Sequence, residues 1–124
     1  LAGADELVAV ARQAIAAASP QAWFIENPVG LLRHRPLMKD IAHLRHTFSY
    51  CHFGTPYQKH TDIWTNAPAD GYACTAKTPC AWRLASPDSK HPVRAQSRLG
   101  GSRLYPIPEA LLSRLFVQAL PPPD

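Results

Sequence analysis

A chain of 124 residues, 46% hydrophobic and 18% charged, has the length of one domain and the composition of a globular one. An enzyme core with both a cofactor half and a substrate half needs more chain, so any likeness to such an enzyme is to a part of it. Thirteen Lys plus Arg against nine Asp plus Glu give a formal charge of +4, which admits nucleic acid as a partner without requiring it.

No basic stretch leads into an apolar one as in a secretory signal, and no apolar run approaches the ~18 residues of a membrane span. Three irregularly spaced cysteines do not make a disulfide framework. The expected setting is therefore intracellular and reducing, with no membrane. The start at Leu1 raises the expectation of a fragment. Thirteen prolines against six glycines predict irregular connections.

Asp5 to Ala18 places Leu7, Ala11, Ala14, Ile15 and Ala18 on one stripe and predicts an amphipathic helix, stopped by Ser19-Pro20. Ala22-Trp23-Phe24-Ile25 reads as a buried parallel strand with Glu26-Asn27-Pro28 at its carboxyl end. Gly30 to His43 predicts two short helical pieces split by Pro36. Thr47 to Phe53 and Thr61 to Thr65 predict two strands of an antiparallel hairpin with a long tip. Asn66 to Tyr105 has no periodicity, and a loop of that length needs an anchor. Pro108 opens a last helix with Leu111, Leu112, Leu115, Phe116 and Ala119 on one face, ended by Pro121-Pro122-Pro123. The expected organisation is one domain over 1–124: a helix and strand core at 5–65, an irregular Cys/His segment at 66–105 and a terminal helix at 106–120.

An acid and an amide at the end of a strand stand where open α/β sheets place ligands. The other reading of Glu26 and Asn27 is a turn that only redirects the backbone. The order WFIENPVGLLR, TFSYCHFGTPYQKHTDIWTN, an irregular Cys/His stretch and YPIPEALLSRLF resembles the carboxyl-terminal half of DNA (cytosine-5) methyltransferases, in the branch carried by phages and mobile elements. The likeness covers about residues 5–118.

This resemblance implies a partial doubly wound, Rossmann-like α/β sheet with an antiparallel hairpin and a C-terminal helix. It implies that Glu26 is the general acid at N3 of a flipped-out cytosine, that Asn27 orients the loop and that Pro28 shapes the base pocket. It carries Gln58 and Lys59 onto the family's active-site segment, where Lys59 is otherwise a solvated turn lysine. The usual Gln-x-Arg-x-Arg is here Gln58-Lys59-His60-Thr61-Asp62. S-adenosylmethionine, DNA and the missing amino-terminal half of the domain are the implied cofactor and partners. The glycine-rich cofactor loop and the Pro-Cys nucleophile precede Glu-Asn in the family, and neither stands upstream of Trp23. The fragment alone is thus not expected to methylate DNA. The alternative is a non-catalytic remnant or nucleic-acid-binding module of a mobile-element protein.

Cys74-x5-Cys80, with His91 and Cys51, suits a Cys3His zinc site that would anchor the irregular segment. Buried free thiols are the other reading. Arg33, His34, Arg35, Lys39, His43, Arg45 and His46 form a basic run, read as a solvated helix face or a DNA path. Lys90, Arg94, Arg98 and Arg103 lie where the family recognises its target. Trp23, Trp64 and Trp82 are expected to pack.

Overall fold

The computed structural model describes residues 2–94 and 106–121. Helix α1 (Ala2–Ala18) leads to strand β1 (Phe24–Pro28), and two 3-10 helices (Leu31–His34 and Pro36–Leu44) cross over to strand β2 (Arg45–Ser49). A third 3-10 turn (Tyr50–Phe53), strand β3 (His60–Thr65), the short helix α2 (Ala81–Ala85) and helix α3 (Glu109–Ala119) follow. This is a mixed α/β fold with a C-terminal helix, in line with the expected class at that level.

The sheet differs from expectation in strand order and in the extent of its strands. β3 lies between β1 and β2 and is antiparallel to both. β1 and β2 are therefore parallel to each other, but β1 bonds no parallel neighbour among the described residues. It is also longer at its carboxyl end than expected. Glu26, Asn27 and Pro28 lie inside the strand opposite Ile63, Asp62 and Thr61, and not beyond its tip.

The predicted hairpin forms between β2 and β3, yet it stops early. Ser49 pairs with His60, the first residue of β3, and Tyr50 N–H makes one last bond, to the Lys59 carbonyl at 2.8 Å, before the ladder ends. The chain winds instead into the 3-10 turn, which Gly54 closes at φ 104°, a left-handed conformation that suits glycine. Cys51, expected inside a strand, thus leaves the sheet. The split at Pro36 matches the sequence: Arg35 before it is extended, because the proline ring disfavours the α conformation there.

Alternation along the strands sends side chains to two cores. Ile25 and Trp64 pack with Leu32, Met38 and Ile41, covered by Val8 and Ile15 of α1. Phe48 and Ile63 pack with Tyr50, Leu111 and Leu115 of α3. Helical elements therefore cover both sheet faces. Trp64 is core as expected, Trp23 is half-buried and Trp82 is exposed.

The stripe expected on α1 is rotated. Leu7, Ala14 and Ala18 are exposed, whereas Val8 and Ile15 face the core. So many alanines leave the burying face to be chosen by longer-range contacts. Here Arg12 binds Asp40 through two bonds of 2.8 and 2.6 Å, and Arg35 pairs with Asp5.

The basic run after β1 also divides. Arg33 is bound bidentately to Asp62 at 2.8 and 2.6 Å, and Thr47 Oγ1 donates to the same carboxylate at 2.8 Å. Asp62 is 1% exposed. His34, Lys39 and His43 are exposed, as a solvated face requires.

Candidate metal centre and the Glu26 cavity

Cys51, Cys74, Cys80 and His91 meet at one point. Their ligand atoms all lie within 4.8 Å of one another, with the three thiols buried. His91 Nε2 is 3.6 Å from Cys74 Sγ and 3.3 Å from Cys80 Sγ. A tetrahedral ion with Zn–S near 2.3 Å and Zn–N near 2.0 Å sets sulfur and nitrogen about 3.5 Å apart. The four expected ligands are thus brought together at spacings that a metal ion can use.

Each ligand arrives by a different local route. Cys51 comes from the 3-10 turn after β2. Cys74 follows Tyr72, whose N–H and C=O pair with Thr47 and Ser49 at 2.9 Å each and so close the outer edge of β2. Gly71 permits that approach, since a Cβ there would stand 3.0 Å from the Thr47 carbonyl oxygen. Cys80 precedes α2, and its carbonyl accepts from Leu84 N–H at 3.1 Å. His91 is followed by Val93, whose N–H donates to the Pro56 carbonyl at 3.0 Å.

A shell of polar contacts orients the ligands, as metal sites generally require. Ser49 Oγ accepts from Cys74 N–H at 2.7 Å and lies 2.6 Å from His60 Nδ1. Gln58 Nε2 donates to the Cys74 carbonyl at 3.1 Å, and Arg83 Nη1 reaches Cys74 Sγ at 3.8 Å. His52 stacks on Tyr72 with ring centroids 3.5 Å apart and holds the Ala73 and Thr78 carbonyls through Nε2.

Burial, then its contacts with the other two thiols, pushes the Cys51 thiol up. Burial acts the same way on Cys74, but the Cys80 backbone, Arg83 and the neighbouring thiols outweigh it and bring Cys74 below the ordinary value. Burial, helped by the charges of Arg83 and His60, lowers His91.

Glu26 lies elsewhere. Its Oε2 accepts from Thr61 Oγ1 at 2.5 Å, and Thr61 Oγ1 also reaches the Asn27 carbonyl at 3.1 Å. Glu26 and Asn27 line a cavity of about 500 Å³ walled by Leu7, Val8 and Ala11 of α1, by Leu31 and Leu32, and by Asp5 with Arg35. Burial, then the charge of Glu26, pushes the nearby Tyr50 hydroxyl up to about 12, against a hydrogen bond with Thr61. Lys59 Nζ sits 5.1 Å from the centre of the Tyr50 ring.

The five residues carried over by resemblance therefore separate. Glu26 and Asn27 share the cavity, Pro28 is exposed, and Lys59 lies over the Tyr50 ring. Gln58 serves the cysteine cluster instead. Thr61, Tyr50 and Arg83 are site neighbours that the sequence did not single out. For Arg83 a signal existed, its place three residues after Cys80 in a short helix. Arg98 and Arg103 lie outside the described residues. No family model, curated protein or solved structure matches this chain.

Proposed function

We propose that a zinc ion held by Cys51, Cys74, Cys80 and His91 staples the irregular segment to the sheet. We propose further that the domain so held is the base-binding part of an S-adenosylmethionine-dependent DNA cytosine-C5 methyltransferase. The convergence of four ligand atoms from four separate stretches of chain within 4.8 Å carries the zinc reading. Three thiolates and an imidazole select zinc over harder cations. Four protein ligands complete a tetrahedral shell and leave no open position for substrate, which makes the role structural.

The methyltransferase reading rests on the motif order and is supported by the cavity beside Glu26. In it Glu26 hydrogen-bonds N3 and the exocyclic amine of the flipped cytosine, with Thr61 fixing the carboxylate. Two parallel strands, a reversed strand between them and helices on both faces suit one edge of a doubly wound sheet. The outer edge of β1 pairs with no strand among the described residues, which is where the amino-terminal half would join. Nothing among the described residues fits S-adenosylmethionine, since no glycine-rich loop follows a strand. No methyl-transfer step is assigned to this chain. Pro79-Cys80 does not supply the nucleophile, because Cys80 belongs to the cluster.

A non-catalytic, nucleic-acid-binding module is the second reading; it keeps the zinc staple and the formal charge of +4 and gives Glu26 no catalytic role. Two measurements separate the possibilities. In the intact protein, Glu26→Gln should abolish methyl transfer while leaving the melting temperature nearly unchanged; retained activity removes the general-acid role. Elemental analysis of the purified chain should find about one zinc per chain. A folded, metal-free chain removes the staple.

A further inference from the structure

The cluster gathers all three cysteines of the chain, and their thiols are unbridged. Any disulfide formed within this chain therefore consumes metal ligands. The three thiols differ in how they are held. Cys74 and Cys80 lie on one loop that closes on itself: Thr75 N–H donates to the Thr78 carbonyl at 3.2 Å, the two threonine hydroxyls lie 2.8 Å apart, and Thr78 Oγ1 donates to the Ala73 carbonyl at 2.7 Å. The loop makes these bonds itself and needs no metal for them. Cys51 enters separately, from the turn after β2.

The same two thiols face the side open to solvent. His91 Nε2 touches both, at 3.6 and 3.3 Å, and Arg83 Nη1 lies 3.8 Å from Cys74 Sγ. His91 and Arg83 in turn line an open cavity of about 580 Å³, so they alone separate Cys74 from it on that side. The stretch that brings His91 in is lightly held. Pro87 to Lys90, Pro92 and Val93 are exposed, and the chain is tied down by Arg83 Nε on the Ser89 carbonyl at 3.2 Å and by Val93 N–H on the Pro56 carbonyl at 3.0 Å.

We propose that Cys74 and Cys80 are a site of reversible oxidation by hydrogen peroxide entering past His91 and Arg83, and that their disulfide expels zinc and frees the His91 stretch. The inference rests on the zinc half of the proposed function and is independent of methyl transfer. The Cys74 thiolate attacks one peroxide oxygen, the O–O bond breaks, hydroxide leaves and Cys74 becomes a sulfenic acid. The Cys80 thiolate then attacks that sulfur and displaces a second hydroxide. Two thiolates thus lose two electrons to one peroxide, and two protons from solvent turn the hydroxides into water. The sulfurs, within 4.8 Å of each other, close to about 2 Å by side-chain rotation and a small loop movement. One thiolate and one imidazole remain, too few to hold a four-coordinate ion. A dithiol reverses the step by exchange.

The test uses the full chain, its zinc first counted by elemental analysis. A folded, metal-free chain ends the zinc reading and the release with it. Hydrogen peroxide should then release about one zinc per chain to a chromogenic chelator. Zinc that stays bound in excess peroxide overturns the inference and leaves the staple standing. Lys59, Lys77 and Arg83 place the three cysteines in separate tryptic peptides, so mass spectrometry after alkylation reads the partners directly. Cys74 should be linked to Cys80 and Cys51 alkylated; a disulfide that includes Cys51, or oxidation without a disulfide, overturns the assignment. Arg83→Gln removes the contact with Cys74 Sγ and the tie to Ser89, and should speed release about threefold or more. An unchanged rate overturns the entry route. Hydrogen exchange should quicken at the Val93 amide and not at Tyr72, with dithiothreitol and zinc restoring it; equal loss at both overturns the local release.

Discussion

The sheet and the segment from Asn66 to Arg94 are held by different physics. Around β1, β2 and β3, Trp64, Phe48, Met38 and Ile63 are essentially buried, and burying such side chains contributes about 1.5–3 kcal/mol each. Beyond β3 the buried hydrophobic residues are Cys74 and Cys80 until Leu111 is reached, among the described residues. A stretch with so little apolar burial cannot offset its own ordering entropy. Its order must come from a few strong, local constraints, of which zinc at the cysteine cluster, as proposed, would be the strongest.

The largest expected effect follows from that contrast. Structural zinc in small peptides binds with apparent free energies of about 10–16 kcal/mol, so chelation should cost this region more than any side-chain change. Hydrogen exchange after chelation should show lost protection at Cys74, Leu84 and Val93 amides while β3 amides stay protected. Equal loss in both regions would contradict the division.

Next comes the sheet's own polar anchor. Asp62→Ala leaves Arg33 without its carboxylate beneath the first 3-10 helix, and should cost about 3 kcal/mol by urea unfolding. A value under about 1 kcal/mol would mean that the pair is hydrated and not structural. Smaller still, Gly71→Ala drives a Cβ to 3.0 Å from the Thr47 carbonyl oxygen and should cost about 1–3 kcal/mol. The loss should appear first as exchange of the Tyr72 and Ser49 amides, where the two regions join.

The smallest effect belongs to Arg12 and Asp40. A hydrogen bond from Arg12 holds the Asp40 carboxyl below its ordinary value of 3.8, against a small cost of burial. The folded state therefore binds its proton less readily than the unfolded chain. The pair's contribution is present above pH 3.8 and fades as pH falls through the folded value. Asp40→Asn should leave the melting temperature at pH 7 almost unchanged and remove part of its decline in acid. Asp5 with Arg35 should behave in the same way.

What was legible in the chain followed rules that act over a few residues. Pro20, Pro36 and Pro108 marked a helix end, a split and a helix start, because a proline constrains its own turn whatever the tertiary setting. Ligand types were legible as well: Cys51, Cys74, Cys80 and His91 were chosen by chemistry. Their convergence was not, since it depends on where β3 begins. Ser49 pairs with His60 and Tyr50 N–H still reaches the Lys59 carbonyl, and the 3-10 turn that begins there carries Cys51 out of the predicted strand toward the cluster.

The reversed middle strand was hidden for a similar reason. Phe24 to Asn27 has the same pattern whether its neighbour is parallel or antiparallel, and only the register with His60–Thr65 decides. On α1 it is Val8 and Ile15 that face the core, a choice that tertiary packing makes and that alanines on every side of the helix do not reveal. Arg33 and Asp62, twenty-nine residues apart, left no sequence signal of pairing.

X-ray absorption at the zinc edge of the purified chain tests the central claim most directly. The first shell should fit three sulfurs at about 2.3 Å and one nitrogen at about 2.0 Å, falling to two sulfurs in Cys51→Ser. A shell of nitrogen and oxygen alone, or one unchanged by Cys51→Ser, would contradict it.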